Sequence, residues 1–350
     1  MGKEQINYSK EVAILRHPAQ WLIFLLSMVI LVTLPLILLA TGGAAWFTFF
    51  NVTFITIIAI LGLNIITGMA GQISLGHAAF VMVGAYTSAI LIKQFDWPFW
   101  GALPASAMVS AILGMVVGAP SLRLKGFYLA VATLAFFLIA QFILRRMDLS
   151  GGVTGIIQIP GPSIGSLIID NETDWYYFSL GFMCLFIFFS TNLARSRLGR
   201  AFFAIRDNDA AASSLGIWAY PTKLRAFFIG NFFAGAAGSL LASYLTVVRP
   251  EMFSMWDSIW YLGMISIGGA GSTAGAVLGV IFLRLIGQVL QLVSIANFIP
   301  SISNNLWVFI ISGIYGLIIV VFISFQPHGI LGLWKKFRMR HVNWPFGLLQ

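Results

Sequence analysis

A chain of 350 residues that is 59% hydrophobic and 9% charged cannot clothe a soluble surface of its size, because soluble domains carry roughly 25% charged residues. Its 20 lysines and arginines against 11 acidic residues leave a formal charge of +9, which at this hydropathy points to basic cytoplasmic loops rather than to nucleic acid. The single cysteine, Cys184, excludes an internal disulfide.

Residues 1–20 are expected to form a cytoplasmic N-terminal segment. They lack a small-residue cleavage site and share only Gly2 with a myristoylation start. Apolar runs follow at 21–40, 50–67, 74–92, 99–118, 127–144, 175–192, 224–246, 258–269, 273–293 and 305–324. Most approach the roughly 20 residues that a helix needs to cross a bilayer, and their continuous apolarity argues against a barrel. The expected fold is an all-α polytopic membrane protein with about ten crossings, forming one domain at 21–325 with a tail at 326–350. The alternative is about eight crossings, with 68–80 or 268–275 as re-entrant pieces.

Basic residues set the orientation. Lys3, Lys10, Arg16, Arg123, Lys125, the cluster within 193–225 and the tail's Lys335, Lys336, Arg338 and Arg340 share one side if both termini are cytoplasmic. Asp170, Glu172 and Asp174 then lie outside, in the polar segment 148–174; Arg145, Arg146 and Arg249 run against the pattern.

Three stretches depart from plain apolar helix. In "GLNIITGMAGQISLGHAAFVMVGAY", Gly62–Tyr86, small and polar residues interrupt two apolar halves. One reading is a helix break lining a path, with Asn64, Gly68, Gly71, Gln72, Ser74 and His77 on it. The other is close helix packing through the glycines. "GGAGSTAGAVLG", Gly268–Gly279, is a second interruption, bringing Gly268, Gly269, Gly271 and Ser272. Paired interruptions point to a translocation site. No Lys-Ser or Lys-Thr follows the glycines, so no phosphate-binding loop is present. Between the two, "RSRLGRAFFAIRDNDAAASSLGIWAYPTKLRAF" predicts a short helix at the cytoplasmic face, in segment 193–223. Asp207 or Asn208 caps its start, Gly216 ends it and Pro221 stops any continuation.

These stretches resemble the membrane subunit of ABC importers in the branched-chain amino-acid (LivM-type) permease family. "LRLKGFYLAVATLAF", "SGGVTGIIQIPGP", "GRAFFAIRDNDAAASSLGI" followed by "KLRAF", and "PHGILGL" complete an ordered set of motifs from about 50 to 335. The resemblance implies a permease in the bacterial inner membrane that is not itself an enzyme. It implies a second, homologous permease subunit or a second copy of this chain, two ATPase subunits that bind ATP and Mg, and a periplasmic solute-binding protein. Membrane lipid is the remaining partner, and no cofactor binds this chain. By resemblance Asp207–Tyr220 docks on an ATPase, flanked by Arg200 and Arg206, with Asp209, Ala210, Ala211, Ala212 and Gly216 at the family's docking positions. The family's general glutamate is absent there. The substrate path is expected near 64–84 and 263–279. Related permeases carry urea, short-chain amides or aromatic acids, so the solute stays open.

An ion-coupled transporter is the main rival, and it would carry acids within its spans. A membrane enzyme would need clustered ligands, whereas His17, His77, His328 and His341 are scattered. Arg284, in "VIFLRLIGQVLQ", is the one ionised group expected mid-span.

Overall fold

The computed structural model describes residues 29–36, 38–39, 44–121, 127–164, 167–292, 304–325 and 329–332. After a helical stretch at 29–36, the chain forms α1 (Ala44–Leu63), which runs on into a π-turn (Asn64–Met69). Next come α2 (His77–Gln94), α3 (Phe99–Ser121) and α4 (Phe127–Arg146). Then follow α5 (Glu172–Arg195), α6 (Arg197–Asp207), α7 (Asp209–Ser214) and α8 (Ala219–Leu245). The series ends with α9 (Met255–Gly268), α10 (Thr273–Leu292) and α11 (Asn304–Phe325).

Among the described residues, strand structure is confined to two-residue pairs. β1 (Ile156–Ile157) is antiparallel to β4 (Val247–Val248), and β2 (Ser163–Ile164) to β3 (Leu167–Ile168). The first pair ties the α4–α5 connection to the end of α8, so these ends share one face. The end of α5, α6, α7 and the start of α8 lie on the other.

Six helices among the described residues are long and apolar enough to cross a membrane: 46–69, 99–120, 128–146, 172–195, 219–245 and 273–290. Two of the expected crossings differ. α9 has 14 residues, about 21 Å at a rise of ~1.5 Å per residue, shorter than the ~30 Å hydrocarbon core. α2 has 18 residues and carries polar Tyr86, Thr87 and Ser88. Residues 1–28, 122–126, 293–303 and 333–350 lie outside the described residues, and with them half of the first expected span, the whole N-terminal segment and most of the C-terminal tail.

α1 and α8 form the centre. Their apolar windows are 83% and 78% buried, against 28% for α4 and α5, which turn most of their surface outward. Lipid is as apolar as a leucine side chain, so helices in it associate through close packing and polar contacts. Small residues on α8 supply the packing: a Cβ on Gly62 would stand 2.3 Å from the Gly230 carbonyl oxygen. Polar contacts supply the rest. Ser239 on α8 donates to Ser88 on α2 at 2.8 Å, and Ser110 on α3 to the Phe80 carbonyl at 2.8 Å. At the outer end, Glu172 Oε2 accepts from Asn51 at 3.1 Å and from Tyr244 at 2.8 Å, joining α5, α1 and α8.

The tight α1–α8 contact makes a prediction. A Cβ on Gly230 would lie 2.5 Å from Ile66 Cγ1, whereas one on Gly181 meets nothing within 4 Å. Gly230→Leu is expected to cost at least the ~1–3 kcal/mol of an overpacked core, lowering the thermal midpoint of detergent-purified protein, and Gly181→Ala to leave it unchanged. Equal midpoints would contradict the contact.

Candidate functional site

The first interruption is a reversal that climbs back beside its own helix. The π-turn ends with Ala70 N–H donating to the Ile65 carbonyl at 3.1 Å and Gln72 N–H to the Ile66 carbonyl at 3.0 Å. Thr67 Oγ1 donates to the Gln72 carbonyl at 3.0 Å. Gly71 takes φ +69°, the left-handed conformation that glycine adopts without strain. Residues 72–76 are irregular. Leu75 N–H donates to Thr133 Oγ1 on α4 at 3.0 Å. α2 then starts at His77, whose Nε2 donates to the Ala59 carbonyl at 2.9 Å. Ala59 stands ten residues before Met69, roughly 15 Å back along α1. Of the two readings of this stretch, the geometry bears on packing: glycines permit close approach, and the irregular backbone is buried at Ser74 and Gly76 and exposed at Gly71 and Ile73. The polar residues serve the turn itself: Gln72 Nε2 donates to the Ala70 carbonyl at 3.0 Å. Ser74 is buried, with no hydrogen-bond partner for its hydroxyl among the described residues.

The second interruption closes the α9–α10 hairpin. Gly269 and Gly271 take φ +116° and +85°. Ser272 Oγ accepts from Gly275 N–H at 3.3 Å, starting α10. α9 and α10 pack backbone to backbone, since a Cβ on Gly279 would lie 1.9 Å from the Met264 carbonyl oxygen.

The two interruptions meet each other and the short helical segment in one knot. Gly271 N–H donates to Asn64 Oδ1 at 2.9 Å. A Cβ on Gly68 would stand 2.4 Å from Gly271 N, so only glycine fits. Arg206, in the last turn of α6, donates from Nη1 to the Gly68 carbonyl at 2.6 Å. Its guanidinium lies 5.6 Å from the Phe203 ring centroid, and its Nε 3.5 Å from Asp207 Oδ1. Asn64, Gly68, Gly71, Gly271 and Arg206 are therefore one contact group. Gln72, Ser74 and His77 belong to the reversal, and Gly268, Gly269 and Ser272 to the hairpin.

From this knot the chain passes directly into the short helix. α6 is capped by Ser196, whose Oγ accepts from Gly199 N–H at 3.1 Å, and buries Phe202 and Ile205 on one face. Asn208 then caps α7, its Oδ1 accepting from Ala210 N–H at 3.0 Å and Ala211 N–H at 3.1 Å. Asp209 pairs with Lys223 at 2.5 Å, a contact that the sequence did not suggest. Ala212 is buried, and Ala210 and Ala211 are exposed. Gly216 ends the turn at φ +81° with open space around it. Pro221 does not terminate anything; it sits in the first turn of α8, where a missing N–H costs no helical bond. Arg200 lies apart, donating to the Arg195 carbonyl at 2.9 Å. Sequence reasoning passed over Leu215 and Trp218, which are 79% and 77% exposed beside α7.

The family profile described as branched-chain amino acid transport system, permease component, matches residues 45–322. The chain is similar to the high-affinity branched-chain amino acid transport system permease protein LivM of Salmonella typhimurium, 36% identical over 257 residues, covering 67% of this chain and 60% of that protein. LivM of Escherichia coli K12 is 35% identical over the same length and shares. The autoinducer 2 import system permease protein LsrC of Enterobacter sp. 638 is 38% identical over 120 residues, 32% of this chain and 35% of that protein. The chain thus matches about 60% of the length of the LivM proteins. No solved structure matches.

The knot predicts a stability effect. Asn64→Leu leaves Gly271 N–H without its acceptor, a loss of about 1–3 kcal/mol, and should lower the thermal midpoint in detergent. Arg200→Ala, at an exposed site, should shift it by less than about 0.5 kcal/mol. Equal midpoints for the two variants would contradict the Asn64–Gly271 bond.

Proposed function

Because the chain belongs to the branched-chain amino acid transport system permease family, we propose that it is the membrane subunit of an ATP-driven importer and forms half of the passage for a small polar solute, branched-chain amino acids being that solute. It works in the bacterial inner membrane, with about ten crossings and both termini in the cytoplasm. Its partners are a second permease subunit, homologous or a second copy, two ATPases that bind ATP and Mg, and a periplasmic solute-binding protein. The chain itself is not catalytic and binds no cofactor.

The observation that carries this reading is the bond from Arg206 to the Gly68 carbonyl. It joins the segment proposed to dock on an ATPase, Asp207–Tyr220, to both interruptions of the membrane helices. A displacement of α7 is then transmitted at once to α1 and to the α9–α10 hairpin, so nucleotide binding outside the membrane biases the arrangement inside it. Leu215 and Trp218 are the apolar anchors for the ATPase groove. The passage runs along Asn64–His77 and Gly268–Ser272, where the second permease meets this one.

A second reading, import of a small solute other than an amino acid, draws on the similarity to the autoinducer 2 import system permease protein LsrC over 32% of the chain. It keeps the architecture and changes only the cargo.

In proteoliposomes containing the whole transporter, uptake of labelled leucine is expected to need ATP and no ion gradient. Arg206→Ala should cut uptake about tenfold or more, the equivalent of one lost charge-assisted hydrogen bond. Gly216→Val, forced into a left-handed conformation, should leave ATP hydrolysis running without transport. Uptake driven by an ion gradient alone, or unchanged in Arg206→Ala, would contradict the reading.

A further inference from the structure

A cavity of about 350 Å³ lies between α1, α8, α9 and α10. That is near the lower end of the ~300–1,000 Å³ typical of small-molecule sites. Its walls are mainly apolar, with Leu241 of α8 among them. Two ionisable side chains of opposite sign also line it, Asp257 from α9 and Arg284 from α10. Trp260, Tyr261 and Thr56 add polar edges.

Asp257 belongs to the helix cap: its Oδ2 accepts from Ser254 N–H at 2.7 Å and from Ser254 Oγ at 3.1 Å. The cap occupies one carboxylate oxygen of two, and a carboxylate accepts about four hydrogen bonds in all. A cap alone does not call for an arginine on the neighbouring helix. Ionisable groups at membrane depth are costly; they pair with one another or face a cavity, and they mark solute paths.

We propose that this cavity is a solute site selective for zwitterions, in which Asp257 receives an ammonium group and the Arg284 guanidinium a carboxylate. The proposal rests on the importer reading above and assigns residues that would hold its solute. An aliphatic side chain then lies against Leu241, with Trp260 and Tyr261 beside the polar end. A neutral solute meets neither charge, so the same cavity disfavours it. The site also adjoins the knot. Thr56 is eight residues before Asn64 on α1, and Met264, another lining residue, is four before Gly268 on α9. Movement of Arg206 therefore acts on two of the four walls, which gives ATP binding a way to release the solute.

The test is thiol protection in the assembled transporter, with Thr56→Cys introduced into a Cys184→Ser chain and a methanethiosulfonate reagent as probe. Leucine is expected to slow labelling of Cys at that position about tenfold at a concentration about ten times that giving half-protection. 4-Methylpentanoate, which lacks the ammonium, and 3-methylbutylamine, which lacks the carboxylate, should leave the rate unchanged. Arg284→Gln should abolish protection by leucine; if that variant fails to assemble, the three compounds on the Thr56→Cys chain still decide. Labelling unaffected by leucine in a transporter that accumulates leucine with ATP overturns this site and leaves the importer reading intact. Equal protection by either single-charge analogue overturns it too. A transporter that accumulates no amino acid overturns both.

Discussion

Backbone hydrogen bonds in hydrocarbon have to be made within the protein, because an unpaired peptide group there costs several kcal/mol. This chain breaks its helices twice, once at the end of the apolar helix 46–69, and the breaks meet the constraint by bonding to each other. Gly271 N–H finds Asn64, and the Gly68 carbonyl, freed where α1 gives way, finds Arg206. The π-turn, the Gly71 reversal and the α9–α10 hairpin are each admissible because the others are in place. A guanidinium suits this position: it carries several fixed donors and stays charged, so it can hold a carbonyl from a partly buried place.

The same arrangement explains why the glycines fall where they do. At Gly68 any side chain would enter the Gly271 backbone, and at Gly271 any side chain would meet the Arg206 guanidinium. Packing and path were the two readings of these residues from sequence, and the contacts seen at the glycines are those of packing. The glycines let three segments approach, and the approach is what supports non-helical backbone inside the protein. The α1–α8 centre gives the knot a rigid frame on one side, and the exposed α7 with Leu215 and Trp218 gives it a handle on the other.

Much of this was legible in sequence because it depends on local chemistry. Asn208 before an alanine run reads as a cap, and Gly216 as a left-handed end, without reference to tertiary structure. Asn64 stands out as an amide in an apolar run. What was not legible depends on contacts between distant segments. Segment 193–225 holds several arginines of similar appearance, and nothing in their spacing distinguishes Arg206, which reaches Gly68, from Arg200, which turns to Arg195. The apolar run at 258–269 hid the short length of α9, although Ser254 and Asp257 have the spacing of a capping box. Passing over that cap also hid the acid that shares a cavity with Arg284. Pro221 was read as a stop because proline ends helices more visibly than it begins them.

The central claim is that the cytoplasmic segment and the two membrane interruptions act as one mechanical unit through Arg206 and Asn64. A double-mutant cycle on ATP-driven uptake tests it most directly, comparing Arg206→Ala, Asn64→Ala and the pair in the reconstituted transporter. Residues of one network deviate from additivity by about 0.5–3 kcal/mol, so the double variant is expected to be little worse than the poorer single variant. Losses that simply multiply would show that Arg206 and Asn64 act independently, and the unit proposed here would not exist.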